Sequence, residues 1–184
     1  MSQNSKFKIQ NIRFLKIWFI ATGLFLLGSC YSFTGSSLSP ETKTIQINDF
    51  LNNAALVNPS LAQQFSIDIQ NRFLQRTTLK GTKNNPDILI EGEIVDYNPS
   101  SPTTISSGVN APGGIIQAAQ NKMTITVKVH YENKIEPNKS FDRTYSDEAV
   151  FSSDLDINTI EATQVKIVNE RIINKIFNDI VANW

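Results

Sequence analysis

The chain has one cysteine, one histidine, two methionines and two tryptophans in 184 residues. A lone cysteine cannot close an internal disulfide. A lone histidine, His130, with no free thiol or second imidazole, leaves no ligand set for a transition metal. No Gly-x-Ser-x-Gly, His-Glu-x-x-His or phosphate-cradling glycine loop occurs. Gly113-Gly114 is followed by no Lys-Ser or Lys-Thr, so it reads as a flexible loop element. Glu91 and Glu93 are the right types for paired-carboxylate chemistry, but on one strand face they read as a solvated surface. No catalytic constellation emerges, so a non-enzymatic protein without a cofactor is expected. No internal repeat is visible.

What is there begins at the N-terminus. Lys6, Lys8, Arg13 and Lys16 precede an apolar run from Ile17 to Leu27, with no acidic residue before Cys30. The run is shorter than the roughly 20 residues a spanning helix needs. Small residues Gly28 and Ser29 follow, then the cysteine. This is the three-part layout of a secretory signal, with the thiol at the cleavage position. Leu27-Gly28-Ser29-Cys30 resembles the lipobox of bacterial lipoproteins. The resemblance implies removal of residues 1–29, a diacylglyceryl thioether on Cys30 and an acylated new N-terminus. The competing reading is a transmembrane helix with a buried cysteine. Each buried CH₂ adds about 0.8 kcal/mol, so several acyl chains hold far more firmly than one.

The balance of 17 basic and 17 acidic residues is misleading. Removing residues 1–29 takes four basic residues and no acidic one, leaving a formal charge of about −4. Nucleic-acid binders are normally basic, so no nucleic-acid partner is expected. Residues 30–43 read as a lipidated polar tether. Residues 44–184 read as one domain, large enough to bury a core without disulfides.

Hydrophobic spacing predicts the elements. Residues 44–50 alternate as a first strand. Asn58-Pro59 reads as an N-cap and first helical position, opening a helix over 59–76 with Leu61, Phe65, Ile69 and Phe73 on one stripe. Gly81 and Asn84-Asn85-Pro86 turn the chain. Residues 87–97 form a second strand, with Ile88, Ile90 and Ile94 on one side and Glu91 and Glu93 on the other. Residues 98–114, rich in Pro, Ser, Thr and Gly, read as a long loop, either functional or simply a hairpin connection. Residues 121–131 give the clearest alternation, Met123 to Tyr131 against Thr124 to His130. Residues 140–151 return as a fourth strand. Asp154 or Asn158 caps a last helix whose stripe of Val165, Val168, Ile172, Ile176 and Ile180 runs nearly to Trp184. The expected fold is α+β: a two-layer sandwich, β-α-β-β-β-α, with two helices packed on one face of a four-stranded, mostly antiparallel sheet.

Lys128, His130 and Arg143 are the candidate contacts for an anionic lipid phosphate. The alternative is ordinary sheet charge balanced by the glutamates. Strand register decides between them, because Arg143 shares parity with Phe141 and Tyr145.

The mature chain resembles the LptE-type lipopolysaccharide-assembly lipoproteins, in the form found in Bacteroidetes. The residues that carry this are Cys30-Tyr31-Ser32-Phe33-Thr34-Gly35, Ala55-Leu56-Val57-Asn58-Pro59-Ser60-Leu61, Asn121-Lys122-Met123-Thr124-Ile125-Thr126-Val127-Lys128-Val129, and the ending Val181-Ala182-Asn183-Trp184. The resemblance implies an outer-membrane lipoprotein on the periplasmic side, anchored to the membrane by its N-terminal lipid. It also implies a plug and assembly role for an LptD-like β-barrel protein, with lipopolysaccharide as cargo. Of the family's functional residues only the lipidated Cys30 transfers. The other reading is a lipid-anchored periplasmic binding module of another envelope complex.

Overall fold

Alternating isoleucine and valine drive the central strands, and the fold is built outward from them. The computed structural model describes residues 38–56, 58–106 and 117–182, with no side chains at 104–106 or 117–119. The signal region, Cys30, most of the tether, loop residues 107–114 and Trp184 therefore lie outside the described residues. In chain order the elements are β1 (Thr44–Ile47), β2 (Leu51–Asn52), α1 (Leu61–Arg76), β3 (Lys80–Gly81), β4 (Ile88–Ser106), β5 (Gln117–Asn133), β6 (Phe141–Ser152) and α2 (Ile157–Phe177). A 3-10 turn, Pro137–Lys139, precedes β6, and a π-helical turn, Asn178–Ala182, prolongs α2.

The α+β class and both helices are as the spacing predicts; the sheet is not. It is mixed and six-stranded, in the order β3-β1-β4-β5-β6, with β2 also on β4. β1 and β2 run parallel to β4 along its first edge, and β3 runs parallel to β1. Only β4, β5 and β6 form the antiparallel meander. The four-stranded expectation fails because β2 and β3 are two residues each, too short for a period of two to register. The parallel β1–β4 pair needs a crossover, and α1 supplies it.

The expected loop also changes. Residues 98–106 continue β4, pairing from Asn98↔Thr124 to Ser106↔Gln117, with irregularities at Ile94/Asp96 and Asn98/Ser101. Pro99 and Pro102 belong to the composition that reads as a loop. Past Ile94, however, β4 has β5 on one side and no strand among the described residues on the other. Proline is tolerated on such an edge because no ladder N–H is missed there.

Helix starts differ slightly from the predicted caps. α1 begins at Leu61 with Ser60 as N-cap. Asn58 instead shapes the turn before it, its Oδ1 accepting from Ser60 N at 3.1 Å and Ser60 Oγ at 2.9 Å. For α2 the cap is Asp156, whose Oδ1 accepts from Asn158 N at 3.0 Å.

Both helices pack on one sheet face. Ile88, Ile90, Ile94, Ile125, Val127 and Val129 meet Leu61, Phe65, Ile69 and Phe73 of α1 and Val168, Ile172 and Ile176 of α2. Each such side chain contributes roughly 1.5–3 kcal/mol when fully buried. The helices run the same way: Asn58, just before α1, bonds Glu161 near the start of α2, and Phe73 stacks on Phe177 near both ends, with ring centroids 5.2 Å apart. Gly92 sits under Phe50, where an added Cβ would lie 2.6 Å from the ring and against the Lys128 carbonyl. Phe50 packs in turn on Phe65, with centroids 4.9 Å apart.

Candidate partner-binding surface

Successive side chains of a strand point to opposite faces. The residues between the core positions of β4, β5 and β6 therefore share the face away from the helices. No helix covers it among the described residues. Its ladder is mostly polar, with Val150 exposed opposite Lys122 and Leu51 exposed opposite Glu93. Lys122 Nζ pairs with Glu148 at 2.7 Å, Thr126 Oγ1 meets Ser146 Oγ at 3.0 Å, and His130 Nδ1 lies 2.9 Å from Asp142 Oδ1. Asn48 Nδ2 donates to Glu91 at 3.0 Å and Asn53 Nδ2 to Glu93 at 2.5 Å. Short amides just after β1 and just after β2 thus tie down both glutamates.

The predicted cations separate in this frame. Lys128 and His130 lie on the polar face, opposite Glu93 and Glu91 respectively. Arg143 pairs with Val129, a core position, and so points to the helix side. There its Nη1 donates to Asp179 at 2.5 Å, and its guanidinium lies 4.6 Å from the Phe141 ring centroid. Strand parity keeps the three from forming one patch. The Tyr145 hydroxyl also donates to Asp179, at 2.8 Å. The bond to Asp179 holds the Arg143 guanidinium above its ordinary value. Burial, then that same carboxylate, raises the Tyr145 phenol.

The edge strand β6 is guarded from α2. Lys175 Nζ donates to the Ser146 carbonyl at 2.7 Å and Arg171 Nη1 to the Glu148 carbonyl at 2.9 Å. Both cations also face Asp147, Lys175 at 2.8 Å and Arg171 at 3.6 Å. Burial pushes the Asp147 carboxyl up, but the Lys175 bond, the Glu148 N–H and the two positive charges together hold it below the usual range. Charged side chains laid over an edge discourage strand addition.

Between α1 and α2 runs a groove of about 580 Å³, with Gln64 and Asp68 on one wall and Ala162 and Lys166 on the other. At its top Glu161 accepts from the Tyr97 hydroxyl and, at 2.8 Å, from Asn58 Nδ2. Burial and then the Glu161 contact raise the Tyr97 phenol. Asn169 lines the groove, has no accessible surface, and pairs neither its Nδ2 nor its Oδ1. Sequence reading missed it. The signal was a polar residue inside the Val165–Val168–Ile172 stripe.

Beyond the helices, β4 and β5 project as an arm. β6 accompanies β5 only as far as Gln120↔Ser152, so Thr104–Ser106 pair with residues 117–119 as a two-stranded ribbon. From Tyr97 to Asn121 the sequence contains no charged residue. The Pro, Ser, Thr and Gly content that reads as a loop hides this lack of charge.

Among the described residues no three side chains are arranged to hold a metal ion, and no helix is long and apolar enough to cross a membrane. The model of the LptE family, described as lipopolysaccharide-assembly, matches residues 42–183. No curated protein matches the chain. Among solved structures, a minor lipoprotein from Acinetobacter baumannii is 13% identical, covering 77% of this chain and 94% of that one, with a TM-score of 0.44. The PelC dodecamer subunit from Paraburkholderia phytofirmans is 10% identical over 80% of this chain and 95% of that one, with a TM-score of 0.44. Lipoprotein GNA1162 from Neisseria meningitidis is 12% identical over 72% of this chain and 99% of that one, with a TM-score of 0.37. Nothing about function follows from likenesses at this level.

Proposed function

Because this chain belongs to the LptE family of lipopolysaccharide-assembly proteins, we propose that it is the lipid-anchored partner and plug of an LptD-like β-barrel in the outer membrane. Lipid on Cys30 holds the domain on the periplasmic side, and the pair delivers lipopolysaccharide to the cell surface. The family match across residues 42–183 carries this reading. The geometry supports it in two ways. The sheet face away from the helices is mostly polar, broken by the exposed Val150 and Leu51, and suits the polar lumen wall of a large barrel. The uncharged β4–β5 arm gives a slender projection that enters such a lumen without stranding a charge.

The role is binding and assembly. Tethering confines the domain beside its partner and raises its effective concentration there. A lipopolysaccharide phosphate contact at Lys128 and His130 belongs to the same proposal; Arg143 does not share their face.

Depletion tests the reading. The expected result is misassembled barrel and loss of surface lipopolysaccharide. Unchanged barrel folding and unchanged surface lipopolysaccharide would refute it. Intact-mass measurement of the mature protein tests the anchor, with three acyl chains expected on residue 30 and an unmodified thiol contradicting it.

A further inference from the structure

We infer that the α1–α2 groove seats an extended peptide segment of the barrel partner, and that Asn169 pairs with one of its backbone amides. This rests on the proposed barrel partnership and goes further by naming the surface and the chemistry it reads.

Asn169 carries the argument. A buried amide with neither donor nor acceptor satisfied is a standing cost to the free protein. It lines an open groove and not a sealed core. An asparagine amide offers a donor and an acceptor side by side, the complement of the N–H and C=O that one residue of an extended chain turns to the same side. A phosphate offers only acceptors. Among the described residues lining this groove, the carboxylates Asp68 and Glu161 outnumber the cation Lys166, which disfavours an anionic lipid. None of the described residues lining it is aromatic, so they offer no platform for stacking a sugar.

The walls suit a seat that closes on its occupant. Glu161 is fixed by Tyr97 and Asn58, so the upper end is already in place. Gln64 and Lys166 are long and exposed, and Gln64 donates to Asp68 at 2.9 Å. Their displacement opens the way to Asn169, which has no accessible surface as the groove stands. The partner's peptide then meets an amide whose hydrogen-bonding capacity is unspent.

The test uses the full-length acylated protein expressed in cells. Photo-crosslinking residues replace Gln64 and Lys166 in the groove and Glu132 on the sheet face. The expected result is a crosslink from positions 64 and 166 to a barrel protein of the LptD type, identified by mass spectrometry. In parallel, Asn169→Leu raises the melting temperature by a few degrees, because it removes an unpaired buried amide. The same variant retains about tenfold less barrel on co-purification, the effect of one lost amide pairing. A purely structural Asn169 would give the stability gain with barrel retention intact, and that result overturns the inference. Crosslinks from 64 and 166 to lipopolysaccharide, or barrel crosslinks from 132 alone, overturn it as well and leave the barrel partnership standing. If wild-type protein retains no barrel at all, the partnership itself fails and the inference falls with it.

Discussion

Arg143 donates to Asp179 across 2.5 Å, and this contact locks the start of β6 to the turn that ends α2. The Tyr145 hydroxyl shares the same carboxylate oxygen. Replacing Asp179 with alanine strips both donors of their acceptor. Arg143 is half exposed, so its ion pair is worth little, whereas the hydroxyl of the buried Tyr145 loses a partner at about 1 kcal/mol. The expected outcome is a melting temperature lower by a few degrees, and a Tyr145 phenol that ionises at lower pH than in the wild type. Ultraviolet titration of the phenolate reads the second effect directly.

Tyr97, Tyr131 and Tyr145 are all raised above the ordinary tyrosine value, first through burial. Their contribution to stability is complete below about pH 10, where the unfolded phenols are still protonated. It is lost as pH climbs above that point, because the unfolded chain then releases protons that the folded one keeps. Melting temperatures measured from pH 8 to 11 should hold steady and then fall. A curve that stays level to pH 11 would contradict the burial of these hydroxyls.

At the acid end the sign reverses. Asp87 is held low by the Lys43 N–H first, with the Thr44 hydroxyl and N–H adding to it, and Asp147 is held low by Lys175 and Arg171 against its own burial. Depressed carboxylates stabilise the fold above the ordinary range and lose that contribution as pH falls through it. Asp147→Asn should therefore flatten the loss of stability between pH 5 and 3, approximate bounds set by the ordinary carboxylate value. Urea unfolding across that window checks it, and a slope identical to wild type would count against the Lys175 contact.

Gly92 makes a sharper packing prediction. A methyl group at this position meets the Phe50 ring and the Lys128 carbonyl, so Gly92→Ala forces backbone or ring to shift. Overpacking of this kind costs about 1–3 kcal/mol. The loss should appear as a lower urea midpoint with an unchanged slope.

The β4–β5 arm gives a prediction about function. Thr103→Lys puts a charge into the uncharged stretch at a position that contributes little to the core. Stability should change by less than about 0.5 kcal/mol, while the barrel retained on co-purification should drop several-fold. Full retention would remove the arm from the proposed interface.

Much of this molecule is legible before any coordinates. Ile88, Ile90, Met123, Ile125 and Val127 declare two central strands by alternation, and Leu61, Phe65, Ile69 and Phe73 declare α1 by spacing; all are buried as that pattern requires. Local reading fails where it has too few residues or the wrong cue. β2 and β3 are too short to show a period. Pro99 and Pro102 look like a turn until the missing strand on that edge of β4 explains them. Arg143 was set by parity, and its register with Val129 decided its face. Asn169 stood in the apolar stripe of α2 all along, and only the groove beside it makes its unpaired amide informative.

The most direct measurement of the central claim is purification of the protein from membranes in mild detergent, with its partners identified by mass spectrometry. The account predicts co-purification of a heat-modifiable β-barrel of the LptD type. Recovery of the protein alone, or with a different envelope complex and no such barrel, would contradict it.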